Sequence, residues 1–295
     1  MMKNRKITQG FLMLAIFALL LMPVKGFAGN LEPSGPPAST MKTLDEVEPR
    51  TPISSLPYIV TTAGSYYLTS NLTSTGKGID INVDNVTIDL MGFTMTGPGT
   101  AGNYGIEGVD IKNLTIKNGT ITNFALGVWL PSPSGRATID NIKAAGNMGN
   151  GIDASNGSIV KNCTASDNGG YGIVANDSVV RGNTANNNGN AGVLAHGSSV
   201  VNNTASFNAG SGFYGGGTSF INNTSSNNTV NGFTVLSGTI LRGNSSTNNS
   251  AMGINLSSVT SPGAMIDGNI ATGNTSANMN SCILITCTYG LNHTP

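Results

Sequence analysis

The 295-residue chain carries 14 basic and 14 acidic residues, 40 glycines and three cysteines. Four of the basic residues fall within residues 1–28; the remainder, 14 − 4 = 10 against 14 acidic, has a net charge of −4. A weakly acidic chain with scattered Lys and Arg excludes nucleic acid as a partner, and two histidines do not complete a zinc ligand set.

Residues 1–28 read as a secretory signal. Lys3, Arg5 and Lys6 form its basic start, Phe11 to Val24 its apolar run, and Gly26-Phe27-Ala28 the small residues of a cleavage site near Ala28. That run is too short to span a bilayer, and nothing later is apolar enough to cross one. The expected location is therefore secreted, periplasmic or cell-surface. Residues 29–57 are rich in proline and serine and read as a linker and N-terminal cap. Thr40 to Val47 make a short capping helix, with Ser39 or Thr40 at its start and Pro49 as its stop. Such a cap would cover an open sheet edge.

From Leu56 strand signals begin, with Tyr58-Ile59-Val60 and Gly64 to Leu68 as two strands of an entry coil. Gly78-Ile79, Gly105-Ile106 and Gly127-Val128 then open a column of glycines at loose spacing, with loops over 97–103 and 131–135. The spacing tightens in Gly151, Gly172, Gly192, Gly212, Gly232 and Gly253, at steps of 20 or 21 residues. A fixed period near twenty, rich in Gly, Asn, Ser and Thr and poor in leucine, indicates a solenoid of strands rather than leucine-rich repeats. The reading is an all-β fold: a parallel β-helix of about nine coils over residues 58–280, three short strands per coil.

The columns assign an interior. Ile139, Val160, Val180, Val200, Phe220, Leu241 and Ile266 make one large inward column, and Ile152, Ile173, Val193, Phe213, Phe233 and Ile254 another. Ala144, Ala165, Ala185, Ala205, Ser225, Ser246 and Ala271 make a small column that lets the large ones fit. Asparagines recur at 147, 168, 188, 208, 228 and 249 and in Asn-Thr-Ala triplets. At corners, Asn tolerates the left-handed backbone and its amide bonds to the copies above and below. The many Asn-x-Ser/Thr matches follow from this repeat.

Two outward columns follow. Asp89, Lys117, Asp140, Lys161 and Arg181 alternate in sign over their first four members, which favours register and leaves little net charge for an ion site. The position two after each column glycine reads Asp80, Glu107, Trp129, Asp153, Val174, Leu194 and Tyr214. Here the only tryptophan stands between carboxylates, a composition suited to a sugar's apolar face and hydroxyls. Glu107 and Asp153 would lie about 9–10 Å apart, two coil spacings. That is too wide for a retaining glycosidase pair and at the limit for an inverting one. Trp129 packing beneath the loop 131–135 is the alternative.

At the end, residues 281–295 form a C-terminal cap. Cys282 and Cys287 flank an apolar run and either form a disulfide or remain two thiols; an exported chain permits the bridge. Cys163 occupies the column of Asn183 and reads as a semi-buried free thiol. His196 falls in column with Asn156 and Asn176, as a turn residue.

The segment Tyr66 to Leu72, then Asn85 to Phe93, and the Asn-Thr-Ala repeats resemble bacterial exported right-handed parallel β-helix repeat proteins, over residues 40 to about 275. They belong to the pectate-lyase-like superfamily, whose members include polysaccharide lyases, hydrolases and epimerases and also proteins without assigned activity. The enzymes' signatures do not recur here. Ala195-His196-Gly197 lacks the adjacent aspartates and Arg-x-Lys of the hydrolases, Arg181 and Arg242 lack the lyases' acidic cluster, and no Asp-Pro-His occurs. No cofactor is implied. Three functions stand: a non-catalytic binder of polysaccharide or cell-surface glycan, a diverged polysaccharide-active enzyme, or a structural surface rod.

Overall fold

The structure, a computed structural model, describes residues 49–131, 136–154, 156–280 and the short strand Thr288–Tyr289. The expected signal segment, the helix Thr40–Val47, residues 132–135 of the loop and Cys282 and Cys287 lie outside the described residues. Within them every regular element is a strand.

All pairings are parallel, and consecutive strands of the chain pair with the next coil rather than with each other. One sheet has eleven strands, one per coil, from Tyr58–Val60 through Ile152–Ala154 to Ala277–Met279. The other has twenty and takes two strands from most coils, as in Ile159–Lys161 and Thr164–Ser166. This is a parallel β-helix of about ten turns, roughly 48 Å long at about 4.8 Å per coil. It exceeds the nine coils counted from glycines because Tyr58–Val60 and Ala277–Met279 add strands at either end. The first strand, Thr51–Ile53, lies inside the segment read as linker and pairs with Tyr66–Leu68.

The inward columns stack as read. Ile139↔Val160↔Val180↔Val200↔Phe220↔Leu241↔Ile266 are Cα partners coil by coil, and all are fully buried. Burying each such side chain contributes about 1.5–3 kcal/mol. Phe213 and Phe233 stack with centroids 4.9 Å apart, and Phe220 meets both edge-on. The small column relaxes there from Ala205 to Ser225 and Ser246, whose hydroxyls donate to the Gly232 and Gly253 carbonyls at 2.9 and 2.7 Å. The column glycines serve close approach rather than positive φ. A Cβ on Gly192 would stand 2.8 Å from both the Ala205 methyl and Asn208 Nδ2.

The corners divide the work that the sequence assigned to asparagine as one. Each corner consists of a left-handed residue followed by a residue turned inward, apolar in Ile142 and Cys163 and an asparagine in the later coils. Asn141, Asn162, Gly182, Asn202 and Asn222 have φ between 54° and 65°, as do Asp167, Asn187, Phe207, Asn227 and Asn248, whose φ spans 55° to 58°. The residue after each stacks inside the cylinder. Asn183, Asn203, Asn223, Asn244 and Asn269 form one buried ladder, each Nδ2 donating to the next Oδ1 at 2.9–3.1 Å. Asn147, Asn168, Asn188, Asn208, Asn228 and Asn249 form a second, continued to Asn274. A third, of hydroxyls, runs through Ser158, Ser178 and Ser198: Ser178 Oγ accepts the Ser158 backbone N–H and Ser198 Oγ that of Ser178, both at 3.1 Å. In the sequence it was hidden among ordinary serines.

Candidate functional site

The glycine-plus-two column is continuous on the outer face of the eleven-strand sheet. Asp80↔Glu107↔Trp129↔Asp153↔Val174↔Leu194↔Tyr214 are partners in register. Trp129 therefore sits one strand from Glu107 and one from Asp153, which are about 9.6 Å apart along the axis.

A second column, one residue before each glycine, lies beside it and supplies contacts that the first column did not suggest. Tyr104 packs on Trp129, ring centroids 4.3 Å apart and planes inclined 38°. Lys77 reaches Asp80 at 3.7 Å and forms a closer ion pair with the buried carboxylate of Glu107. The Lys77 ammonium satisfies Glu107 Oε2. The hydrogen bond to Glu107 also holds the Lys77 pKa above its ordinary value, against burial. Asn150 Nδ2 donates to Asp153 Oδ2 at 3.0 Å; burial nonetheless pushes the Asp153 carboxyl above the usual carboxylate range. The period-two logic of strands singles out one outward column; Tyr104, Lys77 and Asn150 precede the strands and lie three residues back.

Farther along the same face, a cavity of about 330 Å³ is lined by Tyr171, Asn190, Ser211, Tyr214 and Val230. His196 approaches Tyr214 edge-on at 5.8 Å. Its backbone N–H donates to Asn176 Oδ1 at 3.0 Å and its Nδ1 accepts the Gly216 N–H at 3.1 Å, so it holds a turn as expected of its column. Among the described residues no three His, Cys, Asp or Glu side chains come together as a metal site.

The charge column has the expected register, with Lys117–Asp89 at 3.4 Å and Lys161–Asp140 at 3.0 Å. Two details differ. Asp89 is outward by register but buried, because it accepts from the Met91 N–H at 2.9 Å and from Asn118 Nδ2 at 3.2 Å while Arg50 covers it at 3.7 Å. Cys163 is fully rather than partly buried, and burial pushes its thiol up to about 12, so it is inert as a nucleophile.

Stacked parallel coils of this kind define a class, the parallel β-helix protein. The chain belongs to that family: the model of the right-handed beta helix region matches residues 59–209. No curated protein sequence matches. Among solved structures it is similar to a variant of the periplasmic alginate epimerase AlgG, at TM-score 0.62 and 14% identity over 80% of this chain and 76% of that one. It is also similar to the A-module of a mannuronan C-5 epimerase of Azotobacter vinelandii, at 0.53 and 14% over 83% and 90%. The Dettilon tailspike protein matches at 0.52 and 13% over 82% and 61%. At these identities the likeness establishes the fold.

Proposed function

We propose that this chain is an exported, non-catalytic β-helix that binds polysaccharide through the face centred on Trp129. The observation that carries the reading is the Tyr104–Trp129 pair, 4.3 Å between rings, set between the strands of Glu107 and Asp153. Its rings offer an apolar platform to a sugar's C–H face, and Asp153, Asn150 and Asp80 offer partners to hydroxyls. Similarity to two epimerases named for alginate and mannuronan supports a glycan as the ligand class. Against catalysis, Lys77 neutralises Glu107, and about 9.6 Å separates the carboxylates, beyond a retaining pair. The competing enzyme reading draws on Asp153, whose burial favours a proton.

Affinity electrophoresis of the purified chain in gels with neutral or acidic polysaccharides tests this. Retardation that is lost in Trp129→Ala with an unchanged fold supports the binding reading. Trp129→Ala unfolding the chain would mean that the ring is structural. New reducing ends or unsaturated products from the wild type would replace binding by catalysis.

A further inference from the structure

The twenty-strand sheet bends within each coil at the left-handed residues Asn118, Asn141, Asn162, Gly182 and Asn202. Along this bend runs a groove of about 510 Å³ lined by Asp89, Asn118, Thr120, Asn141, Lys143 and Asn162. A second hollow of about 260 Å³ shares Asn162 and continues past Lys161, Arg181 and Asn202. Together they follow the rod axis on a sheet other than that of Trp129.

Charge concentrates here. Of the 10 basic residues after residue 28, five stand at this bend: Arg50, Lys117, Lys143, Lys161 and Arg181. Two carboxylates, Asp89 and Asp140, face them, so the local balance is 5 − 2 = +3 in a chain of net −4. The pairs Asp89–Lys117 and Asp140–Lys161 cancel within the charge column, but Lys143 enters from the neighbouring ladder, beside Thr164. Lys143 and Arg181 are exposed, and Arg181 acts on Asp140 only from behind Lys161. Lys143, Lys161 and Arg181 occupy three successive coils, about 4.8 Å apart along the axis. Around them Asn141 Nδ2 donates to Asn118 Oδ1 at 3.1 Å and Asn162 Nδ2 to Asp140 Oδ1 at 2.9 Å. Each amide thereby uses one of two N–H donors and keeps the other for a ligand.

We infer that this bend is a second binding site, for an acidic polysaccharide lying along the axis with its anionic groups on Lys143 and Arg181, across the Asp140–Lys161 pair. Amides and threonine hydroxyls suit sugar hydroxyls, whereas the lining has no aromatic ring on which a nucleic-acid base would stack. The inference does not rest on the Trp129 face.

Affinity electrophoresis with polygalacturonate, dextran sulfate, neutral dextran and duplex DNA tests it on wild type, Lys143→Glu/Arg181→Glu and Trp129→Ala. The wild type should bind polygalacturonate or dextran sulfate, the stronger of the two identifying carboxylate or sulfate as the recognised group. The double variant should weaken that binding by about tenfold, Lys143→Gln/Arg181→Gln by less, and Trp129→Ala should keep a salt-sensitive component. Unchanged circular dichroism of the exposed-site variants makes the loss attributable to charge. Equal binding by wild type and double variant would overturn the inference while leaving the Trp129 reading intact, as would dextran or DNA binding that the double variant loses together with that of the acidic glycans.

Discussion

Asn202 and Asn203 are adjacent, yet their roles share nothing. Asn202 has φ 56° and turns the corner, while Asn203 is buried and stacks between Asn183 and Asn223. Asn203 Oδ1 accepts from the Asn183 backbone and side chain, both at 2.9 Å, and its Nδ2 donates to Val180 O at 2.9 Å and Asn223 Oδ1 at 3.0 Å. Asn203→Ala strands donors and acceptors on two coils and should cost about 3 kcal/mol or more. Asn202→Gly keeps the left-handed corner and should stay within about 0.5 kcal/mol. Urea unfolding of the two variants measures the contrast, and equal losses would mean that the ladder contributes no more than the turn.

Phe207 is the exception in its corner column. It adopts φ 57° among Asp167, Asn187, Asn227 and Asn248, and it is 62% exposed. A bulky aromatic residue gains nothing from the left-handed region, which Asn tolerates better. Phe207→Asn restores the column's own residue and should stabilise the rod by about 1 kcal/mol, read as a higher urea midpoint. A loss of stability instead would show that the ring makes a contact worth more than the strain.

Tyr104 and Trp129 give an optical test of the outer face. Trp129 is the only tryptophan, so the emission of the protein reports this one ring. Tyr104→Ala uncovers it and should shift the emission to longer wavelength while costing about 0.5–1.5 kcal/mol, the scale of an aromatic pair, beyond the area it leaves unburied. An unshifted spectrum would mean that other groups shield the indole.

The interior was legible because a period-two strand on a twenty-residue coil forces the same residue inward on every turn. Val160, Val180 and Val200 had one consistent assignment, and they stack. What lies at corners was less legible. A one-residue offset separates the left-handed Asn from the ladder Asn, and composition does not distinguish them. The burial of Asp89 depends on Arg50, two coils away, and on the Met91 turn, neither of which shares its column. Tyr104 and Lys143 escaped for the same reason: each joins its site from a neighbouring column, through coil stacking rather than sequence spacing.

Asp140 supplies a prediction in both charge and pH. Burial would raise its carboxyl pKa, but the Asn162 amide and Lys161, with Arg181 behind them, outweigh this and hold it below the usual range. A lowered folded pKa means stability that is present above the ordinary carboxylate value of 3.8 and lost as pH falls through the folded value. Asp140→Asn should therefore flatten the stability profile in that acid window and change little else. Asp140→Lys goes further, setting like charges on three successive coils with Lys117 and Lys161, its partners in register. At low ionic strength it should cost on the order of 1 kcal/mol, and added salt should recover much of the loss by screening these part-exposed charges. Urea midpoints of the three proteins, measured against pH and against salt, decide the matter. A salt-independent loss in Asp140→Lys would point to packing rather than charge as the reason this column holds its register.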